Sequence, residues 1–96
     1  MVLVSGFNVY PAEVEAVIAE IKGVVEVAVA GTSDDRTGEA VKAFVVRSSE
    51  DVTPEAVQEY CHKAMAAYKV PKHVEFLEEL PKSTVGKILR RELRDK

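Results

Sequence analysis

The stretch Pro11-Ala12-Glu13-Val14-Glu15-Ala16-Val17-Ile18-Ala19-Glu20-Ile21-Lys22-Gly23, running on into Val24-Val25-Glu26-Val27-Ala28-Val29-Ala30, changes its hydrophobic period abruptly after Gly23. Val14, Val17, Ile18 and Ile21 fall at i, i+3, i+4 and i+7, the stripe of an amphipathic helix. Pro11 suits a first helical position, where its missing N–H has no partner to lose, and Glu13 and Glu15 favour the positive end of the helix dipole. Lys22 and Gly23 supply the closing cation and glycine, so the pattern predicts a helix over 11–22. Val25, Val27 and Val29 then alternate with Glu26, Ala28 and Ala30, the period-two signature of a strand. A helix handed straight to a strand points to a mixed domain.

Further along, Gly31–Gly38 is polar and turn-rich and reads as a loop. Ala40–Val46 is apolar on both faces apart from Lys42, which marks a central strand. Thr53 reads as a helix N-cap with Pro54 in the first turn, and Val57, Tyr60, Cys61, Ala64, Met65 and Tyr68 form a second helical stripe. Pro71 stops that helix by Lys69. His73–Leu77 reads as a third strand, followed after Pro81 by a polar loop and a short basic helix holding Ile88, Leu89 and Leu93. At the start, Met1–Val4 is strand-like and Ser5-Gly6-Phe7-Asn8 reads as a turn. The expected fold is α+β: a small three-stranded sheet with flanking helices and an N-terminal strand and turn. Met1–Val4 begins in mid-pattern, so the chain reads as a fragment of a larger protein.

Ninety-six residues fit one domain. Such a chain holds a core but not also a deep ligand pocket, so most of any active site must come from elsewhere. With 47% hydrophobic and 30% charged residues, the balance is that of a folded chain rather than a disordered one. No apolar run approaches the ~20 residues that cross a bilayer, and no signal peptide is visible. The single cysteine, Cys61, excludes an internal disulfide and fits a cytoplasmic setting. Residues 1–81 carry seven Lys/Arg against fourteen Asp/Glu, whereas residues 82–96 carry six against two. A basic tail on an acidic body implies a local anionic partner rather than a nucleic-acid surface.

That tail opens with Leu80-Pro81-Lys82-Ser83-Thr84-Val85-Gly86-Lys87-Ile88. Gly86 permits a tight backbone turn, and a lysine beside it is a mobile point charge able to reach a phosphate or carboxylate. On physical grounds alone a solvated start to a basic helix is the favoured reading. Elsewhere the plain readings suffice: Cys61 as a small buried hydrophobe, His62 and His73 without companions for a metal site, and Glu13 and Glu15 as dipole partners. Asp34-Asp35 reads as a solvated loop, and no metal ligand is assigned. Arg90, Arg91 and Arg94 either solvate the last helix or contact a larger domain or a phosphate-bearing ligand.

Pro81-Lys82-Ser83-Thr84-Val85-Gly86-Lys87 resembles the Pro-Lys-(Thr/Ser)-x-x-Gly-Lys signature of the adenylate-forming superfamily, which includes acyl-CoA synthetases, luciferases and peptide-synthetase adenylation domains. Ser5 through Glu15 is similar to that superfamily's Gly-x-x-(Val/Ile)-x-Pro-x-Glu-(Ile/Val)-Glu segment. Asp34–Glu39, ending in Gly38-Glu39, and Tyr68-Lys69-Val70-Pro71 also resemble it, so matching segments cover nearly all the chain. Val4 through Pro11, joined with Gly86 through Leu93, is most similar to bacterial long-chain fatty acid–CoA ligases.

The resemblance implies a C-terminal lid domain whose large N-terminal domain binds ATP, Mg²⁺ and the fatty acid. The parent forms an acyl-adenylate and then passes the acyl group to coenzyme A, the lid rotating between the two half-reactions. It implies that Lys87 is the adenylation lysine, preceded by Gly86, and that Ser5, Gly6 and Phe7 line the tunnel for the pantetheine arm. Some relatives carry lysine where Ser5 stands, so no charged role is carried over there. Tyr68 and Lys69 match positions near the CoA nucleotide: an aromatic face for adenine and a cation for phosphate. The hinge residue lies just before Met1, so the isolated domain is expected to fold without turning over. The parent is expected in the cytoplasm, with peripheral contact at the inner membrane left open. The competing readings are an aryl or medium-chain CoA ligase, a carrier-protein-loading adenylation domain, and a non-enzymatic anion-binding module.

Overall fold

The run read as the central strand lies in the middle of the sheet. In the computed structural model, which describes residues 2–36 and 38–80, strand β4 (Gly38–Arg47) pairs antiparallel with β3 (Val24–Asp34) along one edge. Its other edge is shared. β1 (Val2–Val4) meets it through Val4 and Gly38, and β5 (His73–Phe76) runs parallel to it from Lys42 to Val45. β2 (Phe7–Val9) pairs only with β1. The α+β class stands, with five strands where three were expected, because the N-terminal hairpin joins β3, β4 and β5 in one sheet.

Alternation along β4 explains its two apolar faces. Val41, Ala43 and Val45 face the larger core with Val27 and Val29 of β3. The helices α1 (Pro11–Ile18) and α2 (Pro54–Ala64) cover that face with Val14, Ile18, Val57 and Cys61, all fully buried. Phe44 points the other way, into a smaller cluster with Ala28, Ala30 and Leu80. Lys42, the one charge in the run, pairs with Glu75 on β5 at 3.4 Å and lies over the Phe44 ring. Burying a valine or isoleucine side chain contributes about 1.5–3 kcal/mol. The Thr53 cap, whose Oγ1 accepts the Ala56 N–H at 3.1 Å, adds about 1 kcal/mol. Packing therefore outweighs the cap in fixing α2, and the cap sets where the helix starts.

Three expected boundaries move. The first helix ends at Ile18 rather than 22, because Glu20 and Ile21 bond three residues back and the tightened turn aims Ile21 at the core. Gly23, at φ +99°, completes the reversal into β3. The expected 31–38 loop shrinks to the turn after Asp34, since Gly31, Thr32, Ser33 and Asp34 keep ladder partners in Val41, Ala40, Glu39 and Gly38. Polar side chains do not interrupt a ladder that the backbone makes. The second helix stops at Ala64, where Met65 turns extended, and a 3₁₀ turn over Ala67–Lys69 carries Tyr68 instead. The expected short basic helix lies outside the described residues.

Candidate functional site

β1 and β2 are joined by only two residues, Ser5 at φ +50° and Gly6 at φ +84°. Positive φ at both central positions is the mark of a type I′ hairpin turn, whose twist matches that of the strands. The expected four-residue turn is thus shorter: Phe7 and Asn8 belong to β2, paired with Val4 and Leu3. Ser5 is the one non-glycine with positive φ among the described residues, a conformation costing on the order of 1–3 kcal/mol.

Phe7 leaves the turn 54% exposed, and its ring stacks on Tyr68 with centroids 4.6 Å apart and planes 21° apart. The stack ties the hairpin to the 3₁₀ turn. Next along, Lys69 Nζ donates to Glu13 Oε1 at 2.7 Å, tying that turn to the start of α1. This hydrogen bond holds the Lys69 ammonium above its ordinary pKa, so the charge is firmly kept. Ser5, Gly6, Phe7, Tyr68 and Lys69, five of the expected site residues, therefore belong to one corner of the domain. Gly86 and Lys87 lie outside the described residues.

Beside this corner opens a groove of about 740 Å³. Val4 and Ser5 form one wall, Tyr68, Val70 and Pro71 another, and α2 contributes Gln58 and His62. Lys72 lies at its edge and pairs with Asp34, whose other oxygen accepts the Arg36 N–H at 2.9 Å. Gln58 Nε2 donates to the carbonyls of Pro71 and Lys72 at 3.1 and 3.2 Å, fixing the backbone beneath. Reading the sequence missed Gln58, His62 and Lys72 as lining residues. Lys72 follows the Tyr68-Lys69-Val70-Pro71 segment closely enough to have been considered, but its pairing with Asp34 joins positions with no local pattern between them.

Glu13 and Glu15 have more specific work than dipole stabilisation. Glu13 holds Lys69, while Glu15 Oε2 accepts the Val29 N–H at 2.8 Å. Cys61 is fully buried on α2, and burial pushes its thiol from the ordinary 9.0 up to about 11. The neutral thiol is the form the fold favours. The associated stabilisation is complete below pH 9.0 and is lost as pH rises through about 11. Iodoacetamide at mildly alkaline pH is expected to spare Cys61 in the native chain and to label it in urea; equal labelling rates would contradict a structural role.

A hairpin turn with an adjoining groove on a small α+β domain has counterparts among known proteins. Residues 13–87 match the AMP-binding enzyme C-terminal domain family, and the chain belongs to that family. It is 58% identical, over 99% of its length, to the long-chain-fatty-acid–CoA ligase of Salmonella typhimurium. Among solved structures, a Mycobacterium tuberculosis fatty acyl CoA synthetase superposes with a TM-score of 0.93 at 45% identity, covering 97% of this chain and 18% of that one. The o-succinylbenzoate CoA synthetase of Bacillus subtilis, bound with a product analogue, reaches 0.92 at 35% identity over 98% of this chain and 19% of its own. The chain spans 17% of the length of the Salmonella ligase.

Proposed function

We propose that the chain is the mobile C-terminal domain of an ATP-dependent long-chain fatty acid–CoA ligase, working in the cytoplasm. The observation that carries this reading is its 58% identity to such a ligase over 99% of its length. In the complete enzyme a large N-terminal domain holds ATP and the acid, as the small size of this domain requires. ATP supplies an activated phosphorus and a pyrophosphate leaving group, and coenzyme A supplies the thiol that accepts the acyl group.

This domain supplies two faces. Lys87 brings a fixed positive charge to the acid and the α-phosphate during adenylation. The Ser5-Gly6 turn, backed by the Phe7–Tyr68 stack, borders the path of the pantetheine arm during thioester formation. One face of Tyr68 is covered by Phe7 and the Lys69 charge is matched by Glu13. That fit supports a nucleotide lying along the remaining aromatic surface, with Lys69 shared rather than free. Asp34 is engaged by Lys72 and the Arg36 N–H. Mg²⁺ would accordingly be held with the nucleotide by the N-terminal domain rather than by this loop.

The test is acid-dependent ATP–pyrophosphate exchange and acyl-CoA formation by the two-domain enzyme, compared between palmitate and benzoate. Palmitate is expected to drive both, with the isolated domain inactive. Activity with benzoate alone would assign an aryl-CoA ligase, acyl transfer only to a carrier protein would assign a loading domain, and no exchange with any acid would refute the reading.

A further inference from the structure

We propose that Glu39, seated over Gly31, is a positioning residue that docks the β1–β2 hairpin and thereby places the Ser5-Gly6 turn for thioester formation. The inference rests on the CoA-facing role given to that turn above. It begins with how lightly the hairpin is joined to the sheet. β1 has three residues, and among the described residues its pairing with β4 is the single register pair Val4 and Gly38. One residue further back the ladder has ended, yet the Leu3 N–H still points to a partner: Glu39 Oε1, at 2.9 Å. The carboxylate takes the place a strand carbonyl would otherwise fill, and a charged acceptor makes the stronger hydrogen bond.

Gly31 on β3 explains how that carboxylate reaches its place. Its backbone is not left-handed, so nothing in its φ calls for glycine. Space calls for it instead. A Cβ there would stand 2.6 Å from Glu39 Oε2 and 3.2 and 3.3 Å from the two methyls of Val2. Val2 is 2% exposed, so a core side chain of the hairpin and its charged tether occupy the same notch. A side chain at position 31 would press on both at once. Gly31, Glu39, Val2 and Leu3 thus form one lock, drawn from three strands, and the turn it aims is two residues beyond Leu3.

The test pairs amide exchange in the chain with half-reaction kinetics in the two-domain ligase. Glu39→Met keeps the volume of the side chain and removes the acceptor, while Glu39→Gln keeps an acceptor oxygen. In Glu39→Met, exchange of the Leu3 amide is expected to rise roughly tenfold, the scale of one charge-assisted hydrogen bond, with β3 and β4 amides unchanged. Thioester formation from preformed acyl-adenylate is expected to fall by a similar factor with adenylation retained, and Glu39→Gln to recover most of both. Gly31→Ala is expected to behave as Glu39→Met does. Unchanged Leu3 exchange in a folded Glu39→Met chain would overturn the assignment. Faster exchange with normal thioester formation would overturn it too, provided Gly6→Leu still blocks transfer. Normal transfer in both variants would overturn it together with the role of the turn.

Discussion

Lys87→Ala in the two-domain ligase is expected to reduce adenylation by roughly 10²–10³-fold, the usual cost of removing one preorganised charge donor. Thioester formation from preformed acyl-adenylate should survive. Adenylation brings a carboxylate against a triphosphate, and the transition state gathers further negative charge on oxygens around the α-phosphorus. An ammonium placed there in a dry cleft stabilises both the approach and the transition state. A lysine ammonium is a compact point charge, so the group acts electrostatically and need not give up a proton. Lys87→Arg should not restore the rate, since a planar fork does not occupy the place of a compact point charge. On the proposed reading the second half-reaction presents the domain's other face, so the lysine is expected to have no part in it. Pyrophosphate exchange for the first step and acyl-CoA release from added acyl-adenylate for the second separate the two. Equal loss in both would refute the role.

Gly6→Leu is expected to do the reverse, cutting thioester formation on the order of 10²-fold, the scale of a misplaced reactant, and leaving adenylation near normal. The structure makes this a clean experiment. A Cβ at Gly6 meets nothing within 4 Å among the described residues, so the new side chain sets out into open space. Its backbone cost, from φ +84°, is roughly 1–2 kcal/mol. That is a fraction of the 5–15 kcal/mol typical of a stable domain. Gly6→Ala carries nearly the same backbone penalty with far less bulk. Transfer blocked by leucine and spared by alanine would assign the loss to occlusion. Equal loss in both would assign it to strain at the turn, and normal transfer in the leucine variant would remove Gly6 from the tunnel.

Much of the fold was legible because its periodicities are strong. The switch from Val14, Val17, Ile18 and Ile21 to Val25, Val27 and Val29 gave a helix and a strand, and Thr53 was recognisable as a cap from its place before Pro54. Boundaries failed where tertiary pairing overrode composition. Gly31–Asp34 looks like a loop, but its backbone is zipped to β4. Lys22-Gly23 looks like a helix end, but burial of Ile21 ends the helix sooner. Within the site, a turn was visible at Gly6 because glycine readily takes positive φ, but its two-residue length and the positive φ of Ser5 were not. The Phe7–Tyr68 stack, the Lys69–Glu13 pair and the Glu39–Leu3 tether were not, since each joins distant positions through side chains that carry no periodic signal. The reach of Glu15 to Val29 was hidden for the same reason.

That last contact has a bearing on how the domain stays apart from its own copies. Among the described residues β3 is the outermost strand on its side of the sheet, eleven residues long, with Val25 59% exposed. An unpaired row of amides on such a strand is a template on which another chain can add. Glu15 lies across it from α1 and occupies the Val29 amide with a carboxylate, putting negative charge where a visiting strand would need to dock. One side chain on a neighbouring helix thus stands where it would hinder a second strand from pairing at Val29.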